Sequence, residues 1–129
     1  MIKEQINKLS GIILDSAIEV HKILGPGLLE GVYEICLCKE LDLRKINYKR
    51  QVSLPIEYKG EKLDTDYRID ILVENEIIIE LKSVEILHPV FEAQLLTYLK
   101  LADKKLGLLI NFNVPRLIDG FKRMINGYF

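Results

Sequence analysis

Residues 67–83 read YRIDILVENEIIIELKS, and this stretch decides the fold. It holds two apolar runs of strand length around the polar triplet Glu74-Asn75-Glu76, which suits a tight turn. Side chains alternate faces along a strand, so Glu80 and Lys82 project from one face while Ile77, Ile79 and Leu81 project from the other. A hairpin that turns at the triplet sets Asp70 beside Glu80. Two carboxylates and an ammonium then converge on one face of an otherwise apolar hairpin. Charges on a half-buried strand cost free energy unless they are paired or bind a metal. The same three residues, taken alone, also fit a cross-strand salt-bridge set.

Upstream, Tyr48–Tyr58 alternates well, with Arg50, Val52, Leu54, Ile56 and Tyr58 on one side. Lys59-Gly60-Glu61 is a turn, and Asp64 and Asp66 are read as part of the turn region before the Asp70 strand. These segments predict a three-stranded antiparallel meander. Downstream, His88-Pro89 opens a helix, with proline in the first turn where its missing N–H does no harm. That helix is expected to reach about residue 102, with Phe91, Gln94, Leu95, Tyr98 and Leu101 on one face. Residues 105–112, KLGLLINF, form an apolar run expected of a buried strand after a helical crossover.

The N-terminal half reads as two helices. The first, from about residue 3 to 24, places Leu9, Ile12, Ile13, Ser16, Ala17, Val20 and Leu24 at helical spacing and stops at Gly25-Pro26-Gly27. The second, from about residue 28 to 45, carries an apolar stripe of Leu29, Tyr33, Cys36, Leu37 and Leu41, with Glu30 in its first turn. The tail from Val114 fits two periods: a strand through Phe121, Arg123 and Ile125, or a helix through Leu117, Ile118, Phe121, Met124 and Ile125. A short strand at about 119–126 is the reading adopted. The predicted order is α, α, β, β, β, α, β and a tail.

At 129 residues with 49% apolar content, the chain suits a single domain with its own core. A formal net charge of −1 gives no overall attraction to nucleic acid, so any such binding needs a local patch. Arg44, Lys45, Lys49 and Arg50 form one basic group; Lys104-Lys105 and Lys122-Arg123 form two smaller ones. A dimer or a partner protein is one way to enlarge that surface. The N-terminus carries acidic and amide residues among its apolar ones, unlike a signal peptide, and no apolar run approaches the roughly 20 residues that span a bilayer. Cys36 and Cys38 lie two apart on a helix and cannot readily pair, so reduced core thiols and a cytoplasmic location are expected. His21 and His88 match no ligand spacing and are read as structural.

Three features coincide: Asp70 followed by Glu80-Leu81-Lys82, the αβββαβ order, and Gln94-Leu-Leu-Thr-Tyr98 on the next helix. Together they resemble the PD-(D/E)XK nuclease superfamily, and the last resembles the QxxxY element of its RecB-like branch. Gly27-Leu-Leu-Glu30-Gly-Val-Tyr33 is similar to the signature of the GxxExxY family placed in that superfamily. Ile69, not proline, precedes Asp70, at a position that varies widely among these proteins. The resemblance implies a restriction-endonuclease-like α/β fold, with a mixed central sheet flanked by helices and an extra N-terminal helix. It implies hydrolysis of phosphodiester bonds, in DNA first, with Mg²⁺ or Mn²⁺ as cofactor. Asp70, Glu80 and the Leu81 backbone carbonyl would hold the metal, with Glu30 completing the set. Lys82 would orient or help deprotonate the attacking water. Gln94 and Tyr98 would hold Lys82 or the substrate phosphate, and Tyr33 would pack under the site and hydrogen-bond within it. Two other readings compete. One is a non-catalytic module that binds nucleic acid or a protein; the other is a purely structural ion-pair cluster.

Overall fold

The computed structural model describes residues 1–129. Helix α1 spans Lys3–Leu24 and helix α2 spans Glu30–Leu43. Three strands follow, β1 (Tyr48–Tyr58), β2 (Glu61–Val73) and β3 (Ile77–Lys82). Helix α3 (Pro89–Ala102) leads to β4 (Leu106–Asn111), and a 3-10 turn at Leu117–Gly120 leads to β5 (Phe121–Ile125). The five strands lie in sequence order in one sheet. The β1–β2 and β2–β3 pairs are antiparallel, β3–β4 is parallel, and β4–β5 is antiparallel. The sheet is therefore mixed, because α3 carries the chain back so that β4 runs alongside β3 in the same direction.

Two apolar layers hold the sheet. On one face, α1 and α2 supply Leu9, Ile13, Ala17, Leu37 and Leu41 against Ile71, Val73, Ile79, Leu81, Leu108 and Ile110. On the other, α3 supplies Leu95, Tyr98 and Leu99 against Leu72, Ile78 and Leu109. Strands β3 and β4 are covered on both faces, which is why they read as unbroken apolar runs. Glu80 and Asn111 interrupt those runs and are buried all the same. Asn111 is satisfied locally: its Oδ1 accepts from the Val84 and Asn113 N–H groups, and its Nδ2 donates to the Val84 carbonyl. These bonds fix the chain as it leaves β3 for α3.

Four sequence-based expectations need correction. The Asp70 strand begins at Glu61, so Asp64 and Asp66 lie within it, where Asp66 accepts a hydrogen bond from Ser53 across the hairpin. Leu29 is the extended residue before α2 and is 80% exposed, so it does not belong to that helix's core stripe. The Tyr33 hydroxyl accepts from the Leu28 N–H at 3.1 Å, which ties the residues before Glu30 outside the helix. On α3 the packed residue near the C-terminus is Leu99, while Leu101 is exposed. Of the two thiols, only Cys38 is buried, and burial pushes it up to about 11, which keeps it protonated.

The end of the 3-10 turn closes tightly on the sheet. A Cβ at Gly120 would collide with the Asn111 carbonyl oxygen and come within 3.1 Å of Val114 Cγ2. Backbone cannot yield as a flexible side chain can. Gly120→Ala is therefore expected to lower stability by about 2–3 kcal/mol, read as a shift in urea midpoint at unchanged slope.

Candidate active site

The β2–β3 ladder pairs Val73 with Ile77, Leu72 with Ile78 and Ile71 with Ile79. At Asp70 and Glu80 the regular pairing gives way, and carboxylates replace carbonyls as acceptors. Glu80 Oε1 accepts from the Asp70 N–H at 3.3 Å, and Asp70 Oδ2 accepts from the Leu81 N–H at 2.8 Å. Buried N–H groups need acceptors, so the end of the ladder itself fixes both carboxylates. The register places Asp70 beside Glu80, as the sequence pattern predicts. Lys82 projects from the same face of β3, and its Nζ lies 4.5 Å from the centre of the Phe91 ring on α3.

The environment makes these charges costly. Glu80 is only 8% exposed. Burial first, and then the neighbouring Asp70 charge, push its carboxyl up to about 8, against the opposing pull of the Asp70 N–H and Lys82. Asp70 is also raised, chiefly by burial; the Leu81 N–H lowers it and Glu34 adds to the rise. Tyr98 is raised to about 12, by burial first and then by the Glu80 charge, which places its phenol within the field of the carboxylate pair.

Glu30 opens α2, on the opposite side of the sheet from α3. Its carboxyl is raised by burial and by Asp70, with Lys82 opposing, so it shares the same electrostatic field. No three His, Cys, Asp or Glu side chains converge as a metal cage, however. Asp70 and Glu80 form the closest pair, and Glu30 shares their field from α2. Gln94 and Tyr98 lie one turn apart on α3 and line a groove beside the pair. Lys82 Nζ lies over the ring of Phe91 on the same helix. Tyr33 packs underneath, fully buried and stacked on Phe112 at 4.3 Å between ring centres. Its hydroxyl donates to the Gly25 carbonyl at 2.6 Å, so it pins the α1–α2 loop and does not bond within the site.

Sequence reasoning missed Glu34. This buried carboxylate, one turn after Glu30, accepts from Arg50 Nε and Nη2 at 2.9 and 2.7 Å through Oε2. Gln51 Nε2 donates to its other oxygen at 2.9 Å. Gln51 has φ of +51°, in the left-handed region, at the place in β1 opposite Asp70. Glu34 therefore holds a distorted turn of backbone behind the site and also contributes negative charge there. The i, i+4 spacing of Glu30 and Glu34 was the available signal, since it puts two like charges on one helix face.

A family model described as the PD-(D/E)XK nuclease superfamily matches residues 7–124. That is nearly the whole chain, and the protein belongs to the PD-(D/E)XK nuclease superfamily. No curated protein matches it. Among solved structures, the crystal structure of SSO0001 is similar with a TM-score of 0.58 and 21% sequence identity, over 77% of this chain and 50% of that one. At that identity the likeness carries the fold alone, and this chain spans half the length of that protein.

Nucleases of this superfamily generally use divalent metals. The donors present fit such an ion. Asp70 and Glu80 are adjacent hard oxygen donors whose mutual repulsion a cation would relieve. Two protein carboxylates are also a usual number for Mg²⁺, which otherwise keeps water and substrate phosphate as ligands.

Proposed function

We propose that this chain is a metal-dependent nuclease that hydrolyses phosphodiester bonds in DNA. The observation that carries the reading is the Asp70–Glu80 pair at the end of the β2–β3 ladder, with Lys82 on the same face. Gly27, Glu30, Tyr33, Gln94 and Tyr98 support a finer placement in the GxxExxY family, near the QxxxY-bearing RecB-like branch.

In this reading Asp70 and Glu80, with the Leu81 carbonyl, hold Mg²⁺ or Mn²⁺. When bound, the ion neutralises phosphoryl charge and lowers the pKa of a water. Lys82 orients the attacking water and balances the negative charge that gathers on the phosphoryl oxygens. Gln94 and Tyr98 position the substrate phosphate from α3. Glu30, in the same field as Asp70 and Lys82, would complete the metal set from the α2 side.

Thermal melting with and without Mn²⁺ and Mg²⁺ tests the metal site. At about a hundredfold excess over Kd, a bound ion should raise the wild-type Tm by about 5–10 °C. The rise should vanish in Asp70→Ala. The same two proteins, offered labelled DNA with either metal, should differ in cleavage: product from wild type and none from Asp70→Ala. A metal-independent Tm together with equal cleavage by both proteins would overturn the assignment.

A further inference from the structure

Beside the carboxylate pair, α3 and β2 enclose a groove of about 440 Å³ lined by Tyr67, Phe91, Gln94, Thr97 and Tyr98 among others. Its position depends on a change of face in β2. Ile71 and Val73 pack with α1 and α2, whereas Ile69 packs with α3. The odd-numbered residues thus change sides at Asp70, opposite the left-handed Gln51. Because of this switch Tyr67, two residues before Ile69, faces α3 in the company of Asp70. Its ring centre lies 5.4 Å from that of Tyr98 at a 40° tilt, and the residue remains 50% exposed.

A half-exposed aromatic ring braced by a second ring presents a fixed face on which a flat ligand can stack. The groove adjoins the proposed reaction centre, since Tyr98 lines the groove and lies within the field of the Glu80 charge. Phe91, which also lines it, carries Lys82. Whatever fills the groove is therefore a near neighbour of the phosphate held there. Gln94 offers both a donor and an acceptor at the groove wall. Thr97 is already committed, since its hydroxyl donates to the Ala93 carbonyl.

We propose that this groove binds one unpaired nucleobase next to the scissile phosphate, stacked on Tyr67 and met at its edge by Gln94, so that the preferred substrate is single-stranded or locally unpaired nucleic acid. The inference rests on the nuclease reading above and names the substrate class for the same site. A base inside a duplex is stacked between its neighbours and cannot offer its face to a side chain. The net charge of −1 leaves little general attraction for phosphates, so a stacked base adds affinity that overall charge does not supply.

The test is equilibrium binding by fluorescence anisotropy in the Asp70→Ala background, without divalent metal, so that neither turnover nor metal uptake enters. The probes are a labelled mixed-sequence single-stranded DNA, its RNA counterpart, the matching DNA duplex, and the single-stranded DNA with successive abasic sites. Tyr67→Ala is expected to weaken single-strand binding by about 5- to 100-fold, while Tyr67→Phe stays within about twofold of the parent. An abasic site at the contacted nucleotide should abolish the difference between parent and Tyr67→Ala. The DNA and RNA arms show which backbone the groove accepts. Equal loss on duplex and single strand, or no loss with Tyr67→Ala, overturns the proposal even if the metal and cleavage tests succeed. Conversely, stacking that depends on Tyr67 in a protein without nuclease activity leaves this inference standing and removes the catalytic reading alone.

Discussion

Lys82→Met is expected to reduce DNA cleavage by about 10²- to 10⁴-fold while leaving the fold intact. The side chain is only partly buried, and its Nζ lies over the apolar ring of Phe91. Methionine keeps an unbranched stem of similar reach, so the packing on Phe91 survives. What disappears is the one positive charge that lowers Glu30, Asp70 and Glu80 together. Two consequences follow, and they reinforce each other. The carboxylates become harder to ionise, and the phosphoryl group loses a cation at the moment its negative charge grows. The loss should therefore appear in kcat more than in KM, because the charge matters most in the transition state. Lys82→Arg is expected to recover little, since a guanidinium stays protonated and spreads its charge over a longer, planar group instead of one compact ammonium at the water. Single-turnover cleavage with saturating DNA checks the step directly. Turnover within about threefold of wild type would remove Lys82 from the chemistry.

The parts of this site that the sequence discloses are the parts set by local spacing. Period-two alternation fixes which face Glu80 and Lys82 share, and the turn fixes their partner. Glu74 and Asn75 both adopt positive φ, at +51° and +56°, as the central residues of the turn closed by the Glu76 N–H on the Val73 carbonyl. Asp70 meets Glu80 for that reason alone. The start of β2 was misplaced because residues from Glu61 to Arg68 are exposed, so no apolar alternation marks them as strand. Strand pairing there is held by the backbone of β1, which leaves no trace in side-chain pattern. Glu34 was hidden for a different cause. A buried carboxylate is recognisable only with its partners, and Arg50 and Gln51 reach it from another element through a distorted backbone. Glu30 shows the converse. Its motif is legible, yet spacing along α2 does not say how far its carboxylate stands from β2 and β3 once the layers pack.

In metal-free protein, Glu80→Gln is expected to raise stability at pH 7–8 by about 2–4 kcal/mol, and with it Tm by about 10 °C. Burial first, and then the Asp70 charge, lift the folded Glu80 carboxyl to about 8 from an ordinary value of 4.5. A folded pKa above the unfolded one means that the folded state holds the proton more tightly. The stability contributed by Glu80 is then complete below about pH 4.5 and is lost as pH rises through about 8. Glutamine keeps an oxygen that can accept from the Asp70 N–H but never ionises, so its stability should not fall over that window. The two proteins should accordingly melt together near pH 4 and diverge progressively above pH 5. Denaturant titrations in EDTA across this range measure the gap. Parallel curves from pH 4 to 9 would show that Glu80 ionises at no cost in the folded state. Adding Mn²⁺ at pH 8 should then close the gap from the other side. The ion stabilises wild type by replacing the proton with a better partner, and it finds only one carboxylate in the variant. A residue that destabilises the empty protein and is rescued by a cation is retained for binding, because a structural ion pair in the same place would already have its counter-charge within the fold.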